Sequence, residues 1–275
     1  MMDGGVRIQK VGIIGYGYVG HATGYSLSQV AEVSWHDPKV TGSRSFNELA
    51  RWADALFVCV PTPRGETGAA DLGVVREVVS QLAGLRITSP ILLKSTVPPG
   101  TTEGLARSWP TLAMVCCPEF LRESTHIEDA SAPARVVLGW SSTASESTRA
   151  LVRDLYVRRF PSVPRVELPS LAAEFLKYAS NALFGVKVSF ANEMAELARR
   201  VGVDWEAVRS ALVLDSRVGD GHLAVPGPDG RYGFGGSCLP KDLAGLLAVA
   251  AALNVELEVV ASAVHANRRW RGTEA

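Results

Sequence analysis

The chain has 275 residues, enough for one large domain or two modest ones. Lys plus Arg and Asp plus Glu number 28 each, so the formal net charge is zero, which argues against nucleic acid or an anionic membrane surface as a partner. The four cysteines, Cys59, Cys116, Cys117 and Cys238, follow no regular spacing, which argues against a disulfide framework or a bound metal and fits a cytoplasmic setting.

The first half alternates short β-rich runs with amphipathic ones. Strands are predicted at Lys10–Ile14, Glu32–His36, Ala55–Val60, Pro90–Lys94, Met114–Cys117 and Arg135–Leu138. Helices are predicted at Gly20–Gln29, Phe46–Ala53, Leu72–Ala83 and Thr101–Ser108, then at Thr143–Tyr156 before a last strand, Arg165–Leu168. This alternation predicts βαβ units and an α/β fold: a Rossmann-type, doubly wound parallel sheet over residues 1–168. Beyond it, Leu171, Phe175, Tyr178, Leu183, Val186, Phe190, Met194 and Leu197 recur at helical spacing, predicting one long helix over Ser170–Arg200. Helices follow at Asp204–Leu214, Lys241–Leu253 and Val255–Arg269, so residues 169–275 are expected to be all-helical. The early apolar run Val11–Val19 is broken by glycines and does not read as a signal peptide. Leu243–Val264 is interrupted by Asn254, Glu256 and Glu258 and reads as core helix rather than membrane span.

Gly15-Tyr16-Gly17-Tyr18-Val19-Gly20 follows the first strand and opens the first helix. In such a loop the first glycine permits a tight turn, the second lets backbone approach a pyrophosphate, and the third lets helix and strand pack closely. The helix N-terminus offers N–H groups and a positive dipole end to phosphate. Asp37 closes the second strand, where a carboxylate can accept from adenosine ribose hydroxyls; this favours NAD over NADP, with Lys39 beside it. Pro61-Thr62, Ser95-Thr96 and Glu119 to Glu123 fall at the ends of later strands, on the cofactor side of a parallel sheet. Thr62, Ser95 and Thr96 are either ribose and phosphate contacts or ordinary turn residues. Cys59, Cys116 and Cys117 sit in or at the end of apolar strands and read as core. Cys238 follows Gly233-Phe-Gly-Gly-Ser, a poor core environment, with Lys241 and Asp242 close behind.

Seven motifs, in order, resemble the UDP-glucose/GDP-mannose dehydrogenase family. They are the glycine loop, Val60-Pro-Thr-Pro63, Lys94-Ser-Thr-Val-Pro-Pro-Gly100, Pro118-Glu-Phe-Leu-Arg-Glu123, Glu174-Phe-Leu-Lys-Tyr-Ala-Ser-Asn181, Asn192-Glu-Met194 and Gly233-Phe-Gly-Gly-Ser-Cys-Leu-Pro-Lys-Asp242. The resemblance implies oxidation of a sugar-nucleotide primary alcohol to an acid with two NAD. An aldehyde intermediate is a poor hydride donor, whereas a thiolate adduct is tetrahedral and keeps one hydrogen to give up, yielding a thioester that water hydrolyses.

By this resemblance Cys238 is the nucleophile, Lys177 stabilises negative charge on the reacting oxygen, and Asn181 helps to hold that oxygen or a water. Asp242, Glu119 and Thr96 serve as base or water-positioning groups, the division among them left open, and Glu123 supports them. Phe120, Leu121, Arg122, Phe234 and Gly235 are implied substrate contacts. Arg217 matches an arginine that reaches a neighbouring subunit's substrate, and Arg231 is a further candidate contact, unless both are ordinary surface arginines. A homodimer through the long helix is implied, and its apolar residues would otherwise form an exposed patch.

Two departures stand out. Family members continue into a third domain that grips the nucleotide, and the chain is expected to lack it. The segment before the cysteine is also longer than the usual pattern around Asp229-Gly-Arg231. A nucleoside or smaller sugar alcohol therefore stays open as substrate. Two other readings remain: a two-electron NAD-dependent hydroxyacid or alcohol dehydrogenase, and an inactive truncated nucleotide-binding module.

Overall fold

A computed structural model describes residues 7–66 and 68–272. In its first half β1 (Lys10–Ile14), β2 (Glu32–His36), β3 (Ala55–Val58), β4 (Ile91–Leu93) and β5 (Met114–Cys116) alternate with α1 (Tyr18–Leu27), α2 (Phe46–Trp52), α3 (Gly73–Gly84) and α4 (Thr101–Ser108). A 3₁₀ turn at Glu123–Thr125 leads into α5 (His126–Ser131), then β6 (Val136–Trp140), α6 (Glu146–Arg159) and β7 (Arg165–Pro169). Among the described residues these form a seven-stranded sheet in the order β2-β1-β3-β4-β5-β6-β7.

The sequence of β3 shows why the sheet is covered on both sides. All four of its residues are fully buried, and they alternate between two cores. Leu56 and Val58 join a cluster with Leu49, Val75, Val79 and Leu105 from α2, α3 and α4. Ala55 and Phe57 join another with Leu27, Val152 and Leu155 from α1 and α6. A strand that is apolar at every position suits a sheet with helices on both faces. The sheet is thus doubly wound, with its topological switch between β1 and β3.

The parallel sheet expected from the βαβ pattern is found, with one antiparallel pairing toward its edge. β1 to β5 run parallel, but β6 pairs antiparallel with β5 and β7 parallel with β6. The link from β5 to β6 carries only the 3₁₀ turn and the six-residue α5, and α5 packs against α1. The chain therefore returns from the same end of the sheet instead of crossing over it.

The chain divides into two compact units, one of the described residues up to Thr62 with Asp71–Lys177, the other of Pro63–Ala70 with the described residues from Tyr178 on. The division between these units falls within α7 (Ser170–Val201). Its first turns belong to the sheet unit because Ala173 and Leu176 pack against Cys116 and Val137. Glu174 also caps α4, its carboxylate accepting from Gly100 N at 2.6 Å, Thr102 N at 2.7 Å and Thr102 Oγ1 at 2.6 Å.

The second unit is helical, with the rest of α7, α8 (Trp205–Leu212), α9 (Leu239–Ala252) and α10 (Glu258–Arg271). Tyr178, Ala182, Leu246, Leu257 and Val260 form one core cluster, and Ala191, Ala198, Trp205 and Leu223 another. No helix of the described residues is long and apolar enough to cross a membrane.

Candidate active site

In the sheet unit the glycine loop lies at the switch point, where open α/β sheets bind ligands. Gly15 has φ +87°, and a Cβ there would lie 2.8 Å from Cys59 O, so the turn between β1 and α1 admits no side chain. A Cβ on Gly20 would lie 2.0 Å from Gly15 O, which forces glycine where α1 passes over the loop. Gly17 is the N-cap of α1, no side chain caps that end, and a Cβ there would meet nothing within 4 Å. Open backbone at an uncapped helix N-terminus is what a pyrophosphate needs. Asp37 braces the loop: Tyr16 N donates to Oδ2 at 2.8 Å and Lys39 N to Oδ1 at 2.9 Å. Tyr16 stacks on Trp35 with ring centroids 4.6 Å apart, and burial raises its phenol above the usual value. These residues fit a dinucleotide cofactor.

Thr62, Ser95 and Thr96 knit together the loops that follow β3 and β4. Thr62 Oγ1 donates to Thr96 O at 2.8 Å and Ser95 Oγ to Val60 O at 2.7 Å. The hydroxyl protons of Thr62 and Ser95 thus hold backbone. Pro61 is exposed between them.

After β5 comes a buried ion pair. Lys177 Nζ lies 3.1 Å from Glu119 Oε1, and both side chains are only 5% exposed. The other carboxylate oxygen accepts from Leu121 N at 2.6 Å. Two cations lie over the Phe120 ring, Arg135 at 4.3 Å and Lys177 Nζ at 5.5 Å from its centroid. Arg122 forks onto Asp129 at 2.6 and 3.0 Å, and Glu123 is exposed at the start of the 3₁₀ turn. Asp129 is held below the usual carboxylate range, chiefly by that guanidinium.

In the helical unit Cys238 is the N-cap of α9 and is part-exposed. Its Sγ lies 3.6 Å from Ser237 Oγ. An anion at that position would face the positive end of α9. The other three thiols sit differently. Cys116 and Cys117 are buried, and burial pushes Cys116 far up and Cys59 up to about 12. One turn into α9, Asp242 N donates to Cys238 O at 2.8 Å. The buried Asp242 carboxylate accepts from Asn181 Nδ2 and from Lys241 Nζ, each at 2.6 Å. The sequence places Lys241 near the thiol, but its ion pair with the buried Asp242 carboxylate is not legible there, since any lysine in a first helical turn has the same spacing. Arg217 is exposed and paired with Asp215 at 2.5 Å, while Arg231 and Tyr232 are exposed and Phe234 is buried. Lys177 and Asn181 lie one turn apart on α7. Among the described residues no cluster of His, Cys, Asp and Glu could hold a metal ion.

The fold and the glycine loop define a dinucleotide-binding protein with an appended helical unit. Comparison with known proteins narrows this. Residues 27–159 match the NAD binding domain of the UDP-glucose/GDP-mannose dehydrogenase family, and residues 171–269 match its central domain. The chain belongs to the UDP-glucose/GDP-mannose dehydrogenase family, whose cofactor is NAD. It is 37% identical over 245 residues to a UDP-glucose 6-dehydrogenase of Pseudomonas aeruginosa, a match covering 85% of this chain and 52% of that protein. A solved UDP-glucose dehydrogenase from Pyrobaculum islandicum superposes with a TM-score of 0.85 at 30% identity, over 98% of this chain and 70% of that one. A 3-hydroxyisobutyrate dehydrogenase of Mycobacterium tuberculosis superposes with a TM-score of 0.71 over 94% and 92%, but at 17% identity it shares the fold alone. The chain spans about half the length of the curated relative from Pseudomonas.

Proposed function

We propose that the protein oxidises the primary alcohol of a sugar nucleotide, or of a related nucleoside or sugar, to a carboxylic acid with NAD. The observation that carries this reading is Cys238 at the N-terminus of α9, one turn before an Asp242 carboxylate held by Asn181 and Lys241.

NAD supplies the hydride acceptor at each oxidation. Glu119 or Asp242 takes the alcohol proton as the first hydride leaves and the carbon becomes an aldehyde. The Cys238 thiolate then adds to the carbonyl carbon, and the ammonium of Lys177 offsets the charge that develops on oxygen. The resulting thiohemiacetal gives up a second hydride and becomes a thioester on Cys238. Water, oriented by Asp242, Asn181 and Thr96, attacks it and restores the free thiol. In sum one alcohol, one water and two NAD+ give one carboxylate, two NADH and three protons.

Phe120, Leu121, Phe234 and Gly235 are proposed to line the sugar, and Arg217 and Arg231 to meet an anionic group. A homodimer belongs to the same reading. In the second unit α7 carries Leu183, Phe190, Leu197 and Val201, each more than half exposed. Such a stripe favours burial against a second copy. A reducing cytoplasm suits a free thiol nucleophile.

The test is a screen of nucleotide sugars, nucleosides and sugar alcohols for NADH formation. The expected result is turnover with one such class and a loss of at least about 100-fold in Cys238→Ser, whose hydroxyl is a far weaker nucleophile at neutral pH. Undiminished turnover in that variant would remove the covalent step.

A further inference from the structure

The segment that presents Cys238 is held from outside its own motif. It follows a turn in which Gly227 N donates to Arg231 O and Gly230 N to Gly227 O, both at 2.9 Å. This turn contains Asp229-Gly-Arg231. From α10, Arg271 Nη1 donates to Asp229 Oδ2 at 2.6 Å, while Nη2 reaches Asp229 Oδ1 at 3.1 Å and Gly233 O at 2.9 Å. Asn267 pairs with the Phe234 peptide in both directions, accepting from its N–H at 2.8 Å and donating to its carbonyl at 2.9 Å. Asn192 on α7 accepts from Gly233 N at 2.9 Å. The glycines are shaped to these partners. A Cβ on Gly233 would lie 2.4 Å from Asn267 Oδ1, and one on Gly235 would lie 2.8 Å from Arg271 Nη1. The Arg271 side chain is only 6% exposed, so its guanidinium is part of the packing and not a solvated tip.

We propose that Arg271 and Asp229 are positioning residues for the reaction of Cys238, with the Gly227–Arg231 turn acting as the outer half of a latch on the cysteine segment. The inference rests on the role given to Cys238 above. A forked arginine–carboxylate pair fixes direction as well as distance. Here the fork joins the turn to the Gly233 carbonyl, a few residues before the thiol. When the fork is lost, Gly233 and Phe234 are left with the three hydrogen bonds to Asn192 and Asn267, and the thiol samples positions from which attack is slow. Displacement by a fraction of an ångström is enough to cost a large factor in rate.

The test uses Asp229→Asn, which preserves the side-chain acceptor for Arg231 N while removing the charge, and Arg271→Gln. Steady-state kinetics and hydrogen exchange are measured on each, on the double variant and on the parent. In Asp229→Asn, kcat falls by about tenfold with the KM for NAD within about twofold. Peptides covering Gly233–Cys238 exchange at least about tenfold faster, and those within α9 are unchanged. The double variant is no slower than Arg271→Gln alone, as expected of two residues acting through one contact. Unchanged exchange in Gly233–Cys238 overturns the latch, and faster exchange with unchanged kcat overturns its role in positioning. If the parent forms no NADH from any alcohol, the proposed function fails, and exchange alone still decides whether the latch exists.

Discussion

The chemistry attributed to single residues rests on groups that are costly to bury without a purpose. Lys177 and Glu119 form a pair with almost no solvent contact. Removing one partner from such a pair leaves an uncompensated charge and costs about 3–5 kcal/mol. Lys177→Ala is therefore expected to lower both stability and turnover. Lys177→Met combined with Glu119→Gln should recover most of the stability while turnover stays down by at least about 100-fold. Urea denaturation and NADH formation, measured on the same samples, separate the two effects; recovery of turnover would show the pair to be structural only. The buried thiol gives a second prediction. Burial raises Cys116 well above its ordinary 9.0, and the thiol is neutral when protonated. The fold thus favours the protonated form, so the contribution to stability is complete below about pH 9 and is lost as pH rises through the higher folded value. Above pH 9 the parent should lose stability more steeply than Cys116→Ala, by up to about 1.4 kcal/mol per pH unit. Parallel slopes in denaturation at pH 8 to 10.5 would contradict this.

At the scale of elements, legibility followed the strength of the local pattern. β3 was readable because every residue is apolar, and Thr101–Ser108 emerged as α4 with the expected ends. The glycine loop was readable because two of its glycines answer close approaches that any side chain would block. The direction of β6 was not readable, since it depends on the short α5 docking on α1, and the sequence there carries no strong period. Asn192 and Asn267 were also opaque as clamps: a polar residue inside a helix looks the same whether it meets water or a distant peptide. Glu174 belongs to the same class. It caps α4 from α7, and its carboxylate accepts from Gly100 N, Thr102 N and Thr102 Oγ1. Glu174→Gln places an amide N–H against those donors and removes a charge from the positive end of α4. A loss of about 1–2 kcal/mol is expected in chemical denaturation, and a loss below about 0.3 kcal/mol would show the cap to be dispensable.

For the whole molecule, the sheet unit carries the features of a NAD site and the helical unit carries the thiol. The apolar stripe on α7 is where the dimer proposal is tested. Leu183→Glu with Leu197→Glu should convert a dimer to a monomer in size exclusion with light scattering, leaving helicity intact; a parent that is already monomeric would end the dimer proposal. The central claim is that Cys238 carries the substrate through a second oxidation. The most direct measurement is the number of NADH formed per alcohol consumed at completion, with product identified by mass. Two NADH and a carboxylic acid are predicted, whereas one NADH with an accumulating aldehyde or ketone would contradict the account.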